Sequence, residues 1–115
     1  MLCCLGPAPV QLDECGHAVV EAGGRTLCLI RRGPGRRIVA VELTCSHQGA
    51  RLGAEHISDS LIATCPRHGW AFDLRSGRCR SRPDEAPLPT YDVHAQGGEL
   101  WVDLPKGYLP ARRAA

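Results

Sequence analysis

Aromatic side chains are scarce in this chain: its 115 residues include only Trp70, Phe72, Tyr91, Trp101 and Tyr108. A core must therefore be built from Val, Leu, Ile and Ala, and at this length it is a modest core in one domain, residues 1–115. Lysine occurs once, at Lys106, so the positive charge is almost wholly arginine. The formal net charge is only +2, which argues against a nucleic-acid partner. Long apolar runs are missing, and none approaches the length needed to span a bilayer. The opening stretch MLCCLGPAPVQL lacks a basic n-region, and Pro7 and Pro9 interrupt it, so it reads as a poor secretory signal. A cytoplasmic location is the resulting expectation. In that compartment Cys15, Cys28, Cys79 and the adjacent Cys3 and Cys4 are expected to stay reduced.

Long helices are excluded as well, because 13 Gly and 9 Pro break the sequence into short segments. The segments that remain are rich in β formers: His17–Ala22, Arg25–Arg32, Arg37–Thr44, Leu61–Cys65, Ala71–Leu74, Tyr91–His94 and Glu99–Leu104. Gly23–Gly24 and Gly97–Gly98 read as hairpin turns, and Gly33–Pro34–Gly35 as a longer hairpin loop. In the third segment Val39, Val41 and Leu43 alternate with Ile38, Ala40 and Glu42, so that strand is expected to be half to mostly buried. The fold class expected is all-β and antiparallel. The small, basic stretch 107–115 is expected to be a loosely held tail.

Against this background four residues stand out. Cys45 and His47 form Cys-x-His, seventeen residues follow, and Cys65 and His68 form Cys-x-x-His. The two pairs each mix one thiolate with one imidazole. At this composition a chance occurrence of both pairs in order is on the order of 10⁻³. Zinc competes for the same atoms, since tetrahedral Cys2His2 sites are common. Zinc loops, however, usually pair like with like, and Cys-x-His is tighter than their usual spacing. The alternative that fits mixed pairs is a [2Fe–2S] centre in which two His replace two Cys on one iron. Cys45 and Cys65 would then hold the inner iron, and His47 and His68 the outer. Each pair follows a predicted strand, which suits ligands that must be rigid and still reach the surface. Gly49 and Gly69, just after the two His, allow backbone to approach the sulfurs.

The surrounding segments TCSHQGARL and TCPRHGWAFDLRSGRC carry a resemblance to Rieske-type ferredoxins and to the Rieske domains of ring-hydroxylating oxygenases. CSHQ, Trp70, RPDEAPLPTYDV and the terminal GYLP look most like the ferredoxin component of toluene monooxygenase systems. The resemblance implies an antiparallel β-sandwich carrying a cluster-binding subdomain of two loops, here residues 45–79, with one [2Fe–2S] cluster per chain. It also implies a soluble, monomeric one-electron carrier between an NAD(P)H-dependent flavin reductase and a terminal oxygenase or hydroxylase. No catalytic residue is expected, because every position on both irons would be filled.

Other readings compete with this one, among them a redox sensor or an assembly subunit that keeps the cluster as a structural element. A catalytic oxygenase subunit would need a further iron held by two His and a carboxylate. His94, His17 and His56 have no such motif around them and are expected to be surface or satisfied histidines. The small Rieske subunit of a nitrite reductase shares size and fold and remains open. High-potential Rieske proteins of cytochrome bc complexes resemble the chain less. They carry an extra Cys in each loop, at the positions of Ala50 and Arg67, and a Ser and a Tyr where this chain has Trp70 and Phe72. Fewer donors toward the cluster imply a midpoint near the low end of the range, about −150 mV. Finally, Arg67, Arg75, Arg78, Arg80 and Arg82 fall on and after the second loop, as either a docking face or a solvated loop.

Overall fold

The structure is a computed structural model that describes residues 2–14, 16–32, 35, 37–43, 52–66, 69–81, 84 and 87–104. Its elements are β1 (Leu2–Gly6), α1 (Val10–Glu14), β2 (His17–Ala22), β3 (Arg25–Arg32), β4 (Arg37–Glu42), a 3-10 turn (Ala54–His56), β5 (Ile62–Thr64), β6 (Ala71–Asp73), β7 (Thr90–Gln96) and β8 (Glu99–Asp103). Six strands form one antiparallel sheet in the order β1-β8-β7-β4-β3-β2, and β5 pairs with β6 in a second, two-stranded sheet. The large sheet curls until its edge strands β1 and β2 come within contact distance of each other.

Period-two alternation in β3 and β4 makes these strands a wall between two cores. Leu27, Leu29 and Ala40 face an inner core inside the curl, with Leu12, Ala18, Leu100, Val102 and Leu104. Cys28, Ile30, Val39 and Val41 face an outer core shared with Leu43, Leu52, Leu61, Ala63, Cys65, Phe72, Leu74, Cys79 and Leu88. A strand apolar on both faces is what a wall of this kind requires, and the Leu and Ile side chains each contribute about 1.5–3 kcal/mol by leaving water.

The expected strands are all present, with small shifts at their ends. β2 and β3 keep the expected bounds, β5 and β6 are a residue or two shorter, and β7 extends to Thr90–Gln96. Gly23 and Gly24 have φ of 58° and 77°, and Gly97 and Gly98 have 62° and 81°, the left-handed pair a tight two-residue hairpin turn needs. β3 and β4 also form the expected hairpin, with Arg32 opposite Arg37, while Gly33 and Pro34 lie outside the described residues. β1, α1 and the 3-10 turn have no counterpart in the sequence reading. β1 pairs with β8 and packs Cys3 and Leu5 on the inner core, leaving Leu2 and Cys4 exposed. In α1, a bond from the Leu12 amide to the Pro9 carbonyl at 3.0 Å turns the chain so that Leu12, fully buried, plugs the inner core. The stretch 107–115, expected to be a loose tail, lies outside the described residues.

One ion pair sits inside the curl. Arg25 Nη1 donates to Glu42 Oε1 at 2.8 Å, with the two side chains only 4% and 2% exposed, and the Tyr91 hydroxyl donates to the same oxygen at 2.7 Å. Burial, and then the bond to Glu42, push the Tyr91 hydroxyl's pKa upward.

Candidate metal centre

The second ligand pair begins where β5 ends. Ile62, Ala63 and Thr64 pair with Asp73, Phe72 and Ala71, so Cys65 and Trp70 stand at the two ends of a hairpin connection. Two backbone bonds tighten that connection: the Cys65 amide donates to the Trp70 carbonyl at 2.7 Å, and the Gly69 amide to the Cys65 carbonyl at 2.8 Å. Gly69 has φ of 71°, so the backbone conformation itself calls for glycine here. Cys65 is 1% exposed and belongs to the outer core, against which Trp70 packs half-buried. Phe72 is fully buried and brings no hydroxyl.

The first loop is described at its two ends. The Leu43 amide donates to the Thr26 carbonyl at 2.9 Å, and the Leu52 amide to the Leu43 carbonyl at 3.0 Å. The chain therefore leaves the wall and returns to it at one point, with both leucines fully buried in the outer core. Cys45, His47, Gly49 and Ala50 lie between these ends, outside the described residues, as do Arg67 and His68 in the second loop. What the structure brings together is the root of the first loop, Leu43 and Leu52, and the first residue of the second, Cys65, in one apolar cluster. Among the described residues no group of three His, Cys, Asp or Glu side chains is placed to hold a metal ion.

Several contacts that the sequence did not signal hold this hairpin together, and one fixes it to the sheet. Arg32, at the end of β3, donates from Nη2 to the Leu74 carbonyl at 2.6 Å. Its burial pushes the guanidinium pKa down, and the nearby Asp73 carboxylate opposes that. Arg75 Nη1 donates to the Ser60 carbonyl at 3.0 Å, and the Leu74 amide to the Leu61 carbonyl at 2.9 Å. Leu61 has φ of 63°, a left-handed conformation that costs a leucine on the order of 1–2 kcal/mol and that its burial in the outer core offsets. Gly77, with φ of 81°, donates to Asp73 at 2.6 Å and accepts from Leu88 at 2.7 Å. A Cβ there would meet the Leu88 carbonyl at 3.1 Å.

The remaining histidines and cysteines lie outside the two Cys/His pairs. His56 Nδ1 accepts the Gly53 amide at 3.0 Å, the satisfied histidine expected. His94 is exposed on β7, and His17 is half-buried on β2, its Nδ1 without a hydrogen-bond partner among the described residues. Cys28 and Cys79 are buried thiols of the outer core, and burial pushes the Cys28 thiol up to about 12, which keeps it protonated and unreactive. Cys15 lies outside the described residues. No helix among the described residues is long and apolar enough to cross a membrane.

Residues 7–92 match the model of the Rieske [2Fe-2S] domain. The 3-phenylpropionate/cinnamic acid dioxygenase ferredoxin subunit of Escherichia coli (strain K12) is 35% identical over 72 residues, covering 63% of this chain and 68% of that protein. The plasma membrane Rieske protein PetC3 of Synechocystis PCC 6803 has the same fold, with a TM-score of 0.67 at 24% identity, over 88% of this chain and 98% of that one. The ferredoxin of carbazole 1,9a-dioxygenase from Nocardioides aromaticivorans IC177 superimposes with a TM-score of 0.53 at 29% identity, over 86% of this chain and 95% of that one. The chain belongs to the Rieske [2Fe-2S] domain family, and its relatives include the ferredoxin components of aromatic dioxygenases.

Proposed function

We propose that this protein is the one-electron carrier of an oxygenase system, taking electrons from an NAD(P)H-dependent flavin reductase and delivering them to a terminal mono- or dioxygenase. In this reading the whole chain is one functional unit, residues 45–79 are the cluster-binding region, and the protein works in the cytoplasm. Its 35% identity to a dioxygenase ferredoxin subunit supports a role without substrate chemistry of its own. When bound, a Rieske cluster supplies reversible storage of one electron.

Cys45, His47, Cys65 and His68 are the proposed ligands, and the residues described around them fit that assignment. The observation that carries it is the outer core, which gathers Leu43, Leu52 and Cys65 and so roots both loops on one stiff surface. Cys65 starts its loop from a dry apolar position, and Gly69 returns the chain with a left-handed φ and a bond to the Cys65 carbonyl. Two thiolates and two imidazoles are the donor set of a Rieske centre.

The test is direct. Protein purified without oxygen should contain about two irons and two sulfides per chain and, once reduced, show a rhombic EPR signal with average g below 2. Stoichiometric zinc without sulfide would overturn the assignment. Cys65→Ala should abolish the signal and, because ligation is coupled to folding, lower the melting temperature. Voltammetry should place the midpoint nearer about −150 mV than +300 mV, and Trp70→Ser with Phe72→Tyr should raise it if added donors control the potential. Electron delivery to an oxygenase is then measured with a flavin reductase present and omitted; equal turnover without it would remove the reductase from the proposal.

A further inference from the structure

The chain that follows β6 returns alongside it. The Asp73 amide donates to the Arg78 carbonyl at 2.9 Å, the Arg80 amide donates to the Ala71 carbonyl at 2.7 Å, and Phe72 bridges Cys79 between them. Residues 78–80 thus add an extended edge to the small sheet, with Cys79 buried beneath and Arg78 and Arg80 exposed on either side. Same-side residues of an extended chain lie about 6–7 Å apart, so the two guanidiniums make a short row. Arg80 sits beside Ala71, three positions after His68, at the end of β6 nearest the second ligand loop.

This row differs from the neighbouring arginines in being uncommitted. Arg32 and Arg75 are tied to the Leu74 and Ser60 carbonyls. Neither the Arg78 nor the Arg80 side chain has a hydrogen bond or ion pair among the described residues. The Asp73 carboxylate that could neutralise them accepts the Arg75 amide at 2.9 Å and lies near Arg32. Asp84 is the next exposed acid along the chain. On the large sheet Glu21, Glu99 and Asp103 are exposed, and the exposed Arg37 is paired with Asp92 at 3.1 Å. Arg78 and Arg80 thus differ from Arg37 and Arg75 in being exposed without a partner among the described residues.

We propose that Arg78 and Arg80 form a docking rim for an acidic surface of the terminal oxygenase. The proposal rests on the electron-carrier reading and adds the sign of the partner's surface and the two residues that meet it. Exposed guanidiniums near the exit point raise the encounter rate with an anionic partner and orient it, an effect that salt screens. A row of two, in a chain of net charge +2, offers too little for nucleic acid to be the favoured occupant.

The test uses the cluster-loaded protein and small redox probes of opposite charge. Reduced wild type, Arg78→Gln/Arg80→Gln, and the charge-matched control Arg31→Gln/Arg37→Gln are oxidised in a stopped-flow device by hexacyanoferrate(III) or by tris(phenanthroline)cobalt(III). In each case one electron leaves the protein and reduces the probe metal by one unit. At low salt the rim variant should react about tenfold more slowly with the anionic probe and faster with the cationic one, both differences closing at high salt. The control should stay within about twofold of wild type. Equal behaviour of both double variants, with intact EPR signals and potentials, would overturn the rim. Retention of wild type but not the rim variant on double-stranded DNA at physiological salt would overturn the oxygenase as its occupant. Wild-type protein with no reducible cluster would instead overturn the carrier reading beneath it.

Discussion

The inner and outer cores share β3 and β4 and are held together by different means. The inner core is closed by strand ladders, each residue locked to a neighbour in register, and its buried polar content is one ion pair with a tyrosine on it. The outer core has a sheet on one side only. On its other side are a two-stranded hairpin and loop ends, tied by arginine-to-carbonyl bonds, left-handed turns and single backbone bridges. A ladder distributes its strength over many equivalent bonds, whereas a set of ties places it in a few identifiable residues. The part of the molecule that roots the ligand loops is the tied part, and there single substitutions act locally.

The sharpest test of that contrast is a pair of truncations. Phe72→Ala in the outer core and Leu29→Ala in the inner core both empty fully buried positions. They should cost about 3–5 and 2–5 kcal/mol in denaturant unfolding, respectively. Only Phe72→Ala should also change cluster content and the EPR line shape. Equal spectral change in both would mean that the cores are not separable. Glu42→Ala comes next, stranding Arg25 and the Tyr91 hydroxyl, with a cost of about 3–5 kcal/mol. The exposed pair Arg37–Asp92, at 3.1 Å with side chains 69% and 62% exposed, should contribute at most about 1 kcal/mol in a double-mutant cycle. A Glu42→Ala cost within that smaller range would show that water reaches the pair.

A separate test is titration of the wall itself. The Cys28 thiol is pushed up to about 12 from an ordinary 9.0, so the unfolded chain loses this proton first as pH rises. Stability is fully present below pH 9 and should fall between about 9 and 12, by no more than about 1.4 kcal/mol per unit from this group. The raised Tyr91 hydroxyl contributes in the same direction at higher pH. Unfolding free energies of wild type and Cys28→Ala, followed from pH 8 upward, check this. The variant should show a shallower decline, and parallel curves would mean that Cys28 ionises in the folded protein as readily as in the unfolded one.

What the sequence made legible follows the same division. The alternation of Val39, Val41 and Leu43 with Ile38 and Ala40 announced the wall, because side-chain direction in a strand is set by parity alone. The paired glycines announced the hairpins through their left-handed conformations. The ligand spacing announced the family. The ties of the outer core were not legible. Arg32 meeting Leu74 and Arg75 meeting Ser60 join residues 42 and 15 positions apart, and no local pattern marks which arginine reaches a carbonyl. Leu61 in a left-handed turn runs against its own preference and is decided by packing. β1 escaped notice because two cysteines, Pro7 and Pro9 gave it no strand signature, although Cys3 and Leu5 complete the inner core.

The two-faced wall also acts as a proofreading device. A slip of β4 by one residue against β3 would carry Val39 and Val41 into the inner core and Ala40 into the outer one, so both cores would reject it at once. Most sheets check their alignment on one face; this one checks it on two. The chain entering the first ligand loop therefore starts from a strand whose alignment is verified twice before any metal arrives, and correct placement of that loop's root is a property of the apoprotein's packing.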